Sequence, residues 1–161
     1  MILRIRILIS LLFAVSLGYS QHVSGVYKIN DLLKRIDNKS DTVYIVNFWA
    51  TWCVPCVKEL PAFDSLAAKH KGDKLKILLV CLDFKEDLQL RVEPFLKKNN
   101  YHMECVLLDE VNGNDFIDKI DKKWSGSIPA TFATTNNRGK TFFAEKKLHT
   151  SELEAAYQKL K

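Results

Sequence analysis

Positions 49–56 read Trp49-Ala50-Thr51-Trp52-Cys53-Val54-Pro55-Cys56 and place two cysteines three positions apart. The continuous apolar run that leads into this stretch, residues 43–49, is rich in β-branched and aromatic residues and predicts a strand buried on both faces. Apolar residues then recur at helical spacing, at Val57, Leu60, Phe63 and Ala67. The two cysteines therefore lie at the junction between a buried strand and a helix.

The two thiols are chemically unequal because of their places in the first helical turn. At the helix N-terminus unpaired N–H groups and the macrodipole stabilise an anion, so we expect the pKa of Cys53 to lie below the value of about 8.5 for a free thiol. Cys56 lies one turn further in and is better shielded, which suits it to resolve a mixed disulfide formed by Cys53. Pro55 fits the first turn because that turn tolerates a residue without an N–H. The pattern predicts a redox-active dithiol.

Other uses of a cysteine pair at this spacing are less favoured. A purely structural disulfide would close too short a loop to constrain the unfolded chain much. A structural zinc ion needs four ligands, and the sequence holds no second Cys/His pair. Covalent haem attachment needs a histidine directly after the second cysteine, where this chain has Val57. We expect neither a cofactor nor a metal, since the electrons reside in the two sulfurs.

Outside this stretch the sequence alternates between strand and helix patterns. Further strands are predicted over 75–82, 103–108, 130–135 and 141–144, the last two joined by a turn at 136–139. Helical spacing of apolar residues predicts helices within 32–36, 88–96, 116–120 and 153–160, and Asn30 is the expected N-cap of the first. This order favours an α/β domain with a central mixed, mostly parallel sheet and helices on both faces.

The motifs resemble those of the thioredoxin superfamily and, within it, of the exported TlpA/ResA-like branch. The residues that carry the resemblance are Asn47 to Cys56, Lys58-Glu59-Leu60-Pro61 and Ser127-Ile128-Pro129-Ala130-Thr131-Phe132. The resemblance covers the chain from about Thr42 to its C-terminus. It implies a thioredoxin-like fold with a TlpA-like helix–strand insertion, which residues 87–108 fit, and it implies thiol–disulfide oxidoreductase activity.

The resemblance also implies roles for single residues. Cys53 would attack a substrate disulfide and Cys56 would resolve the product. Pro61 would match the helix-kinking proline of the family. Pro129 would match its cis-proline, which faces the disulfide and turns the backbone of Ile128 so that it can pair with an extended substrate strand.

Two polar residues near the cysteines, Asn47 and Glu59, bear on how protons reach and leave the thiols. Many thioredoxins have a buried aspartate where this chain has Asn47, which cannot titrate. Glu59, three residues after Cys56 on the same helix, is the candidate replacement, and a solvated surface carboxylate is the alternative. We expect Trp52 and Pro55 to lie at the substrate-contacting surface.

The remaining cysteines, Cys81 and Cys105, lie inside apolar strand runs. Buried free thiols behave as small hydrophobic groups, and this is the expected state of both. A second disulfide between them is the alternative. Trp49 is expected in the core.

The N-terminus has the composition of an export signal. Arg4 and Arg6 precede an apolar run at 7–17, and Gly18-Tyr19-Ser20 supplies small residues before Gln21. We therefore predict a signal peptide over residues 1–20 and a thioredoxin-like domain over residues 21–161, in the periplasm or cell envelope. An uncleaved segment that anchors the protein in the inner membrane is the alternative.

The length and charge of the chain limit the number of domains and the classes of partner that we expect. The chain has 161 residues, with 24 Lys+Arg against 19 Asp+Glu, and its lysines are scattered among carboxylates, so we expect one domain and no nucleic-acid binding. We expect a monomer that reduces protein disulfides, and the family resemblance implies a membrane-embedded thiol electron donor. The alternatives are an oxidase with the same two cysteines, a peroxidase, and a non-catalytic metal-binding module of the same fold.

Overall fold

The computed structural model describes residues 23–37, 39–135 and 138–161. The predicted signal peptide and the tip of the predicted turn at 136–139 lie outside these ranges. The strands are β1 (Val23–Tyr27), β2 (Val43–Trp49), β3 (Leu75–Cys81), β4 (Glu104–Leu108), β5 (Ala130–Thr135) and β6 (Lys140–Ala144). The helices are α1 (Ile29–Ile36), α2 (Val54–Lys69), α3 (Glu93–Asn99), α4 (Ile117–Ile120) and α5 (Thr150–Leu160). None of the helices in this part of the chain is long and apolar enough to cross a bilayer.

The six strands form one mixed sheet in the order β1-β4-β3-β2-β5-β6. The first four strands in that order are parallel, β5 runs antiparallel to β2, and β6 runs antiparallel to β5. Helices α2, α3 and α5 pack on one face of the sheet, while α1 and α4 pack on the other. The predicted fold, a central mixed sheet flanked by helices, is confirmed, and α3 with β4 forms the helix–strand unit expected in residues 87–108.

Strand β2 lies at the centre of the sheet because both of its faces are apolar. Ile45 and Trp49 pack on the side of α2 and α5, and Val46 and Phe48 pack on the side of α1 and α4. All four side chains are almost fully buried. Burial on both faces fixes the register of β2, so the residues that follow it reach a defined place at the carboxyl end of the parallel strands.

The first strand and the first helix differ from the sequence prediction. The sequence pattern does not predict strand β1, which pairs in parallel with β4 and is the outermost strand of the sheet. Asn30 is not the N-cap of α1, because the helix begins at Ile29 and Lys28 occupies the cap position without a side-chain hydrogen bond. The carboxylate of Glu110 accepts a hydrogen bond from the Ile29 N–H at 2.8 Å. A residue from a distant loop thus supplies the hydrogen-bond acceptor that the side chain of an N-cap residue would otherwise supply.

Candidate active site

Cys53 and Cys56 lie at the start of α2, directly after the central strand. The N–H of Cys53 donates to the carbonyl of Ala50 at 3.1 Å, which closes a tight turn between β2 and α2. Cys53 is the N-cap of α2, and its Sγ accepts the N–H of Cys56 at 3.3 Å. The two sulfurs are joined in a disulfide. Cys53 is 6% exposed and Cys56 is fully buried, so Cys53 is the sulfur that a partner reaches first.

The loop before β5 lies against this disulfide. The Ile128–Pro129 peptide bond is cis, as predicted, and the carbonyl oxygen of Ile128 lies 3.7 Å from the Sγ of Cys53. Two contacts hold Ser127 in place: the indole N–H of Trp124 donates to its carbonyl at 2.8 Å, and its N–H donates to Glu145 at 2.9 Å. The backbone beside Cys53 is therefore fixed from both sides.

Glu59 is buried, so its interpretation as a solvated surface carboxylate is wrong. It is 1% exposed. One carboxylate oxygen accepts from the side-chain amide of Asn47 at 2.7 Å, and the other accepts from the backbone N–H of Leu148 at 2.7 Å. Burial raises the pKa of Glu59 from its ordinary value of 4.5 to about 7, because the charged form loses its hydration. The group can hold or release a proton near neutral pH.

Asn47 can serve both protonation states of Glu59. Its Nδ2 donates to Glu59 and, more weakly, to the hydroxyl of Thr131 at 3.4 Å. Its Oδ1 is buried and has no hydrogen-bond partner in the part of the chain that the structure describes. If Glu59 takes up a proton, rotation of the amide would let Oδ1 accept the new O–H. An asparagine at this position therefore accommodates a neighbour that titrates.

Asp83 is a further site residue, which the sequence reasoning missed. It follows β3 by two positions and is only 3% exposed. Its carboxylate accepts from the backbone N–H of Thr51 at 2.8 Å and from the Thr51 hydroxyl at 2.5 Å. The thiol of Cys81 also donates to it, at 3.1 Å. Asp83 thereby anchors the turn that carries Cys53 to the end of the neighbouring strand.

We expect Asp83→Ala to lower the free energy of unfolding by about 1–3 kcal/mol, because it leaves the half-buried donors of Thr51 and the buried thiol of Cys81 without an acceptor. Denaturant unfolding of the oxidised protein measures this loss. Asp87→Ala, which removes a carboxylate from the same loop, is the matched control. Equal effects of the two substitutions would show that Asp83 does not anchor the turn.

Cys81 and Cys105 are free and fully buried, as expected. Burial raises the pKa of both thiols, that of Cys105 to about 12. The alternative of a disulfide between them is wrong. In the parallel register Cys81 lies opposite Leu107 and Cys105 lies opposite Leu79, so the cysteines are diagonal neighbours. Strand spacing and rise put diagonal Cα atoms about 8 Å apart, beyond the reach of a disulfide.

The other predicted site residues take the following places. Trp52 and Pro55 are exposed beside the disulfide, and Trp52 shows 59% of its surface. Pro61 lies within α2, which continues through it. Trp49 is fully buried in the core, as predicted. Over residues 23–37, 39–135 and 138–161, no three His, Cys, Asp or Glu side chains converge as metal ligands would.

Comparison with known proteins places this arrangement in a family. The AhpC/TSA family matches residues 28–138. The thiol-disulfide oxidoreductase ResA of Oceanobacillus iheyensis is 33% identical over 150 residues, which cover 81% of this chain and 73% of that protein. The sporulation thiol-disulfide oxidoreductase A of Bacillus subtilis is 42% identical over 72 residues, 45% of this chain and 43% of that protein. The match to the Bacillus subtilis oxidoreductase therefore spans less than half of the length of that relative.

Solved structures agree with the sequence relatives. The crystal structure of StoA from Bacillus subtilis superimposes with a TM-score of 0.57 and 26% sequence identity, over 73% of this chain and 84% of that one. The ResA relative, which matches 81% of this chain, carries the name thiol-disulfide oxidoreductase. The chain belongs to the AhpC/TSA family of thioredoxin-like proteins and, within it, to the ResA-like thiol–disulfide oxidoreductases.

Proposed function

We propose that this protein reduces disulfide bonds of other proteins in the cell envelope, with Cys53 as the attacking and Cys56 as the resolving cysteine. The observation that carries the proposal is the position of Cys53. Its sulfur accepts an N–H at the N-terminus of α2 and lies 3.7 Å from the backbone of Ile128. A thiolate is stabilised at such a helix end, and a disulfide in an extended segment can be presented to it by the adjacent backbone.

The reaction is two successive exchanges. The Cys53 thiolate attacks one sulfur of the substrate disulfide, a mixed disulfide forms, and the other substrate sulfur leaves as a thiolate. The Cys56 thiolate then attacks the Cys53 sulfur, which closes the Cys53–Cys56 disulfide and releases the second substrate sulfur. Two electrons pass from the protein dithiol to the substrate. In the overall balance Cys53 and Cys56 lose two protons and the two released substrate thiolates gain two, and the proton of Cys56 passes by way of Glu59.

Glu59 is the proposed acceptor for the proton that Cys56 loses. It lies one helical turn beyond Cys56, is buried with it, and has a pKa of about 7. A carboxyl group of that pKa is present in both forms at neutral pH, which is the condition for efficient proton transfer. Asn47 supports both forms through its amide.

The proposed substrate contacts surround Cys53. The backbone of Ile128, before Pro129, would pair with an extended substrate segment. Trp52 and Pro55 would supply apolar contact, since both are exposed next to the reactive sulfur. These contacts are made with backbone and apolar surface, which suits an extended protein segment.

The proposed location and electron supply rest on the sequence. The signal-like segment at 1–20 supports export to the periplasm or cell envelope, with cleavage after Ser20. Reduction in an oxidising compartment requires a source of electrons. A membrane-embedded thiol donor would reduce the Cys53–Cys56 disulfide back to the dithiol after each reaction. We propose that the protein acts as a monomer.

We expect the Cys53–Cys56 couple to have a reduction potential on the order of −200 mV or lower, on a scale where thioredoxin lies at about −270 mV and a strong periplasmic oxidant at about −120 mV. No histidine stands between the cysteines to stabilise the reduced form. Equilibration of the purified domain with glutathione buffers measures the potential. A value near −120 mV, with the pair oxidised in growing cells, would make the protein an oxidase instead.

A further inference from the structure

The loops that follow β3 and β4 are strongly acidic in a chain that is basic overall. Residues 82–87 and 109–118 hold one lysine and seven acidic residues, whereas the whole chain has a net charge of +5. The seven are Asp83, Glu86, Asp87, Asp109, Glu110, Asp115 and Asp118. Because β2, β3 and β4 are parallel, their carboxyl ends meet at one edge, and these loops lie on the same edge as the disulfide.

A cavity of about 310 Å³ lies between the two loops. Its apolar wall is formed by Phe84, Val111, Phe116 and Ile117. Its polar rim includes Glu86, Glu110, Lys85 and Asp109, of which Asp109 pairs with Lys28. We call this cavity with its rim the acidic groove. It combines room for a side chain with an apolar wall and a negative rim.

Two residues that line the acidic groove connect it to the segments that flank the reactive sulfur. On one side Asp83, which lines it, is bonded to Thr51, two residues before Cys53. On the other side Gly126, which also lines it, precedes Ile128 by two residues. At Gly126 φ is +96°, a backbone conformation that glycine adopts readily and that other residues adopt only with strain. A segment bound beside Ile128 would therefore reach the groove within a few residues.

Exposed apolar side chains continue this surface. Phe84 is 70% exposed and Val111 is 93% exposed, and Trp52 and Val54 beside the disulfide are each more than half exposed. These four are among only six large apolar side chains that the described ranges leave exposed, and all four follow the carboxyl ends of parallel strands. Apolar side chains clustered at one edge and bordered by charge mark a protein-binding surface.

We infer that the acidic groove selects protein substrates that carry an apolar side chain flanked by lysine or arginine close to the disulfide cysteine. This inference rests on the proposed function and adds the substrate class to it. The apolar side chain fills the space between Phe84 and Phe116, and the basic neighbours face Glu86 and Glu110. Opposite charges steer such a segment to the site, and they disfavour acidic segments by repulsion.

Two short synthetic peptides test the inference. Each carries one cysteine in a mixed disulfide with a chromophoric thiol, and a leucine near it is flanked by lysines in one peptide and by glutamates in the other. We expect the reduced protein to cleave the basic peptide about ten-fold faster at low ionic strength, and we expect salt to reduce this preference. Glu86→Lys should lower the preference at least about three-fold. Asp41→Lys, with the same charge change at the opposite edge of the sheet, should leave it unchanged.

A small neutral disulfide, hydroxyethyl disulfide, separates the possible failures. Wild type and Glu86→Lys should reduce it at equal rates. If the wild-type protein reduces it but does not distinguish the peptides, the inference is wrong and the proposed function stands. If the wild-type protein reduces none of the three compounds, the proposed function itself fails. A dimer that Val111→Asp dissociates would assign the surface to a second copy of the chain and would also overturn the inference.

Discussion

Cys53→Ser is expected to reduce the rate of protein disulfide reduction to the background level, the largest effect of any single substitution in this chain. A serine hydroxyl has nearly the shape of the thiol but cannot form a disulfide, so no mixed disulfide with the substrate can begin. The substitution should leave the fold intact, because Cys53 lies at the N-cap of α2, where serine is a preferred residue. Reduction of a model protein disulfide by the pre-reduced variant measures the effect.

Two companion variants make this test specific. Cys56→Ala should stall the reaction after the first exchange and accumulate a covalent complex between Cys53 and the substrate, which non-reducing electrophoresis detects. Cys81→Ala should retain activity, since that thiol is buried and its pKa is strongly raised. Substantial activity in Cys53→Ser, or a trapped complex that forms through a different cysteine, would contradict the assigned mechanism.

The parts of the fold that were predictable from sequence are those with a strong local pattern. Strand β2 and helix α2 follow from a continuous apolar run and a helical repeat that meet at the cysteines. Strand β1 has no such pattern, because its five residues include Ser24 and Gly25 and alternate between partial and full exposure. It forms because β4 offers an open edge from a distant part of the chain. A pairing of that kind depends on tertiary context, which a local pattern does not contain.

The same distinction applies within the site. The cysteine pair and the proline before β5 are short motifs, so their residues could be named in advance. Whether Glu59 is buried depends on Leu148, 89 residues further along, whose N–H covers one carboxylate oxygen. The role of Asp83 likewise depends on its contact with Thr51, because the two residues follow the neighbouring strands β3 and β2 and are 32 positions apart in the chain. A rule that polar residues after adjacent parallel strands converge on a site would have suggested Asp83.

The raised pKa of Glu59 has a consequence for stability. The folded protein holds a proton on Glu59 up to about pH 7, whereas in the unfolded chain the carboxyl group releases it near 4.5. Between these values the folded state binds more protons than the unfolded state, so the contribution of Glu59 to the free energy of unfolding falls as pH rises. Above pH 7 the cost of the buried charge is fully present.

Glu59→Gln is therefore expected to make the protein more stable than wild type at pH 8 and about equally stable near pH 4. The neutral amide can accept from the Leu148 N–H and donate to the unpaired Oδ1 of Asn47 once that amide rotates. The difference should grow through the interval from 4.5 to 7 and reach up to about 3 kcal/mol, since each pKa unit corresponds to about 1.4 kcal/mol. Denaturant unfolding of the oxidised proteins across this range measures it.

The same substitution should slow the exchange reaction, because the glutamine cannot accept the proton from Cys56. In the wild-type protein the rate of the second exchange should rise through about pH 7 as Glu59 becomes a carboxylate. In Glu59→Gln the rise should move toward the pKa of a free thiol, about 8.5, and the rate at pH 7 should fall about ten-fold. Stopped-flow measurement of release from the Cys53 mixed disulfide gives this profile, with Glu93→Gln on α3 as the control. An unchanged profile, together with the predicted gain in stability, would make Glu59 a buried structural group with no part in proton transfer.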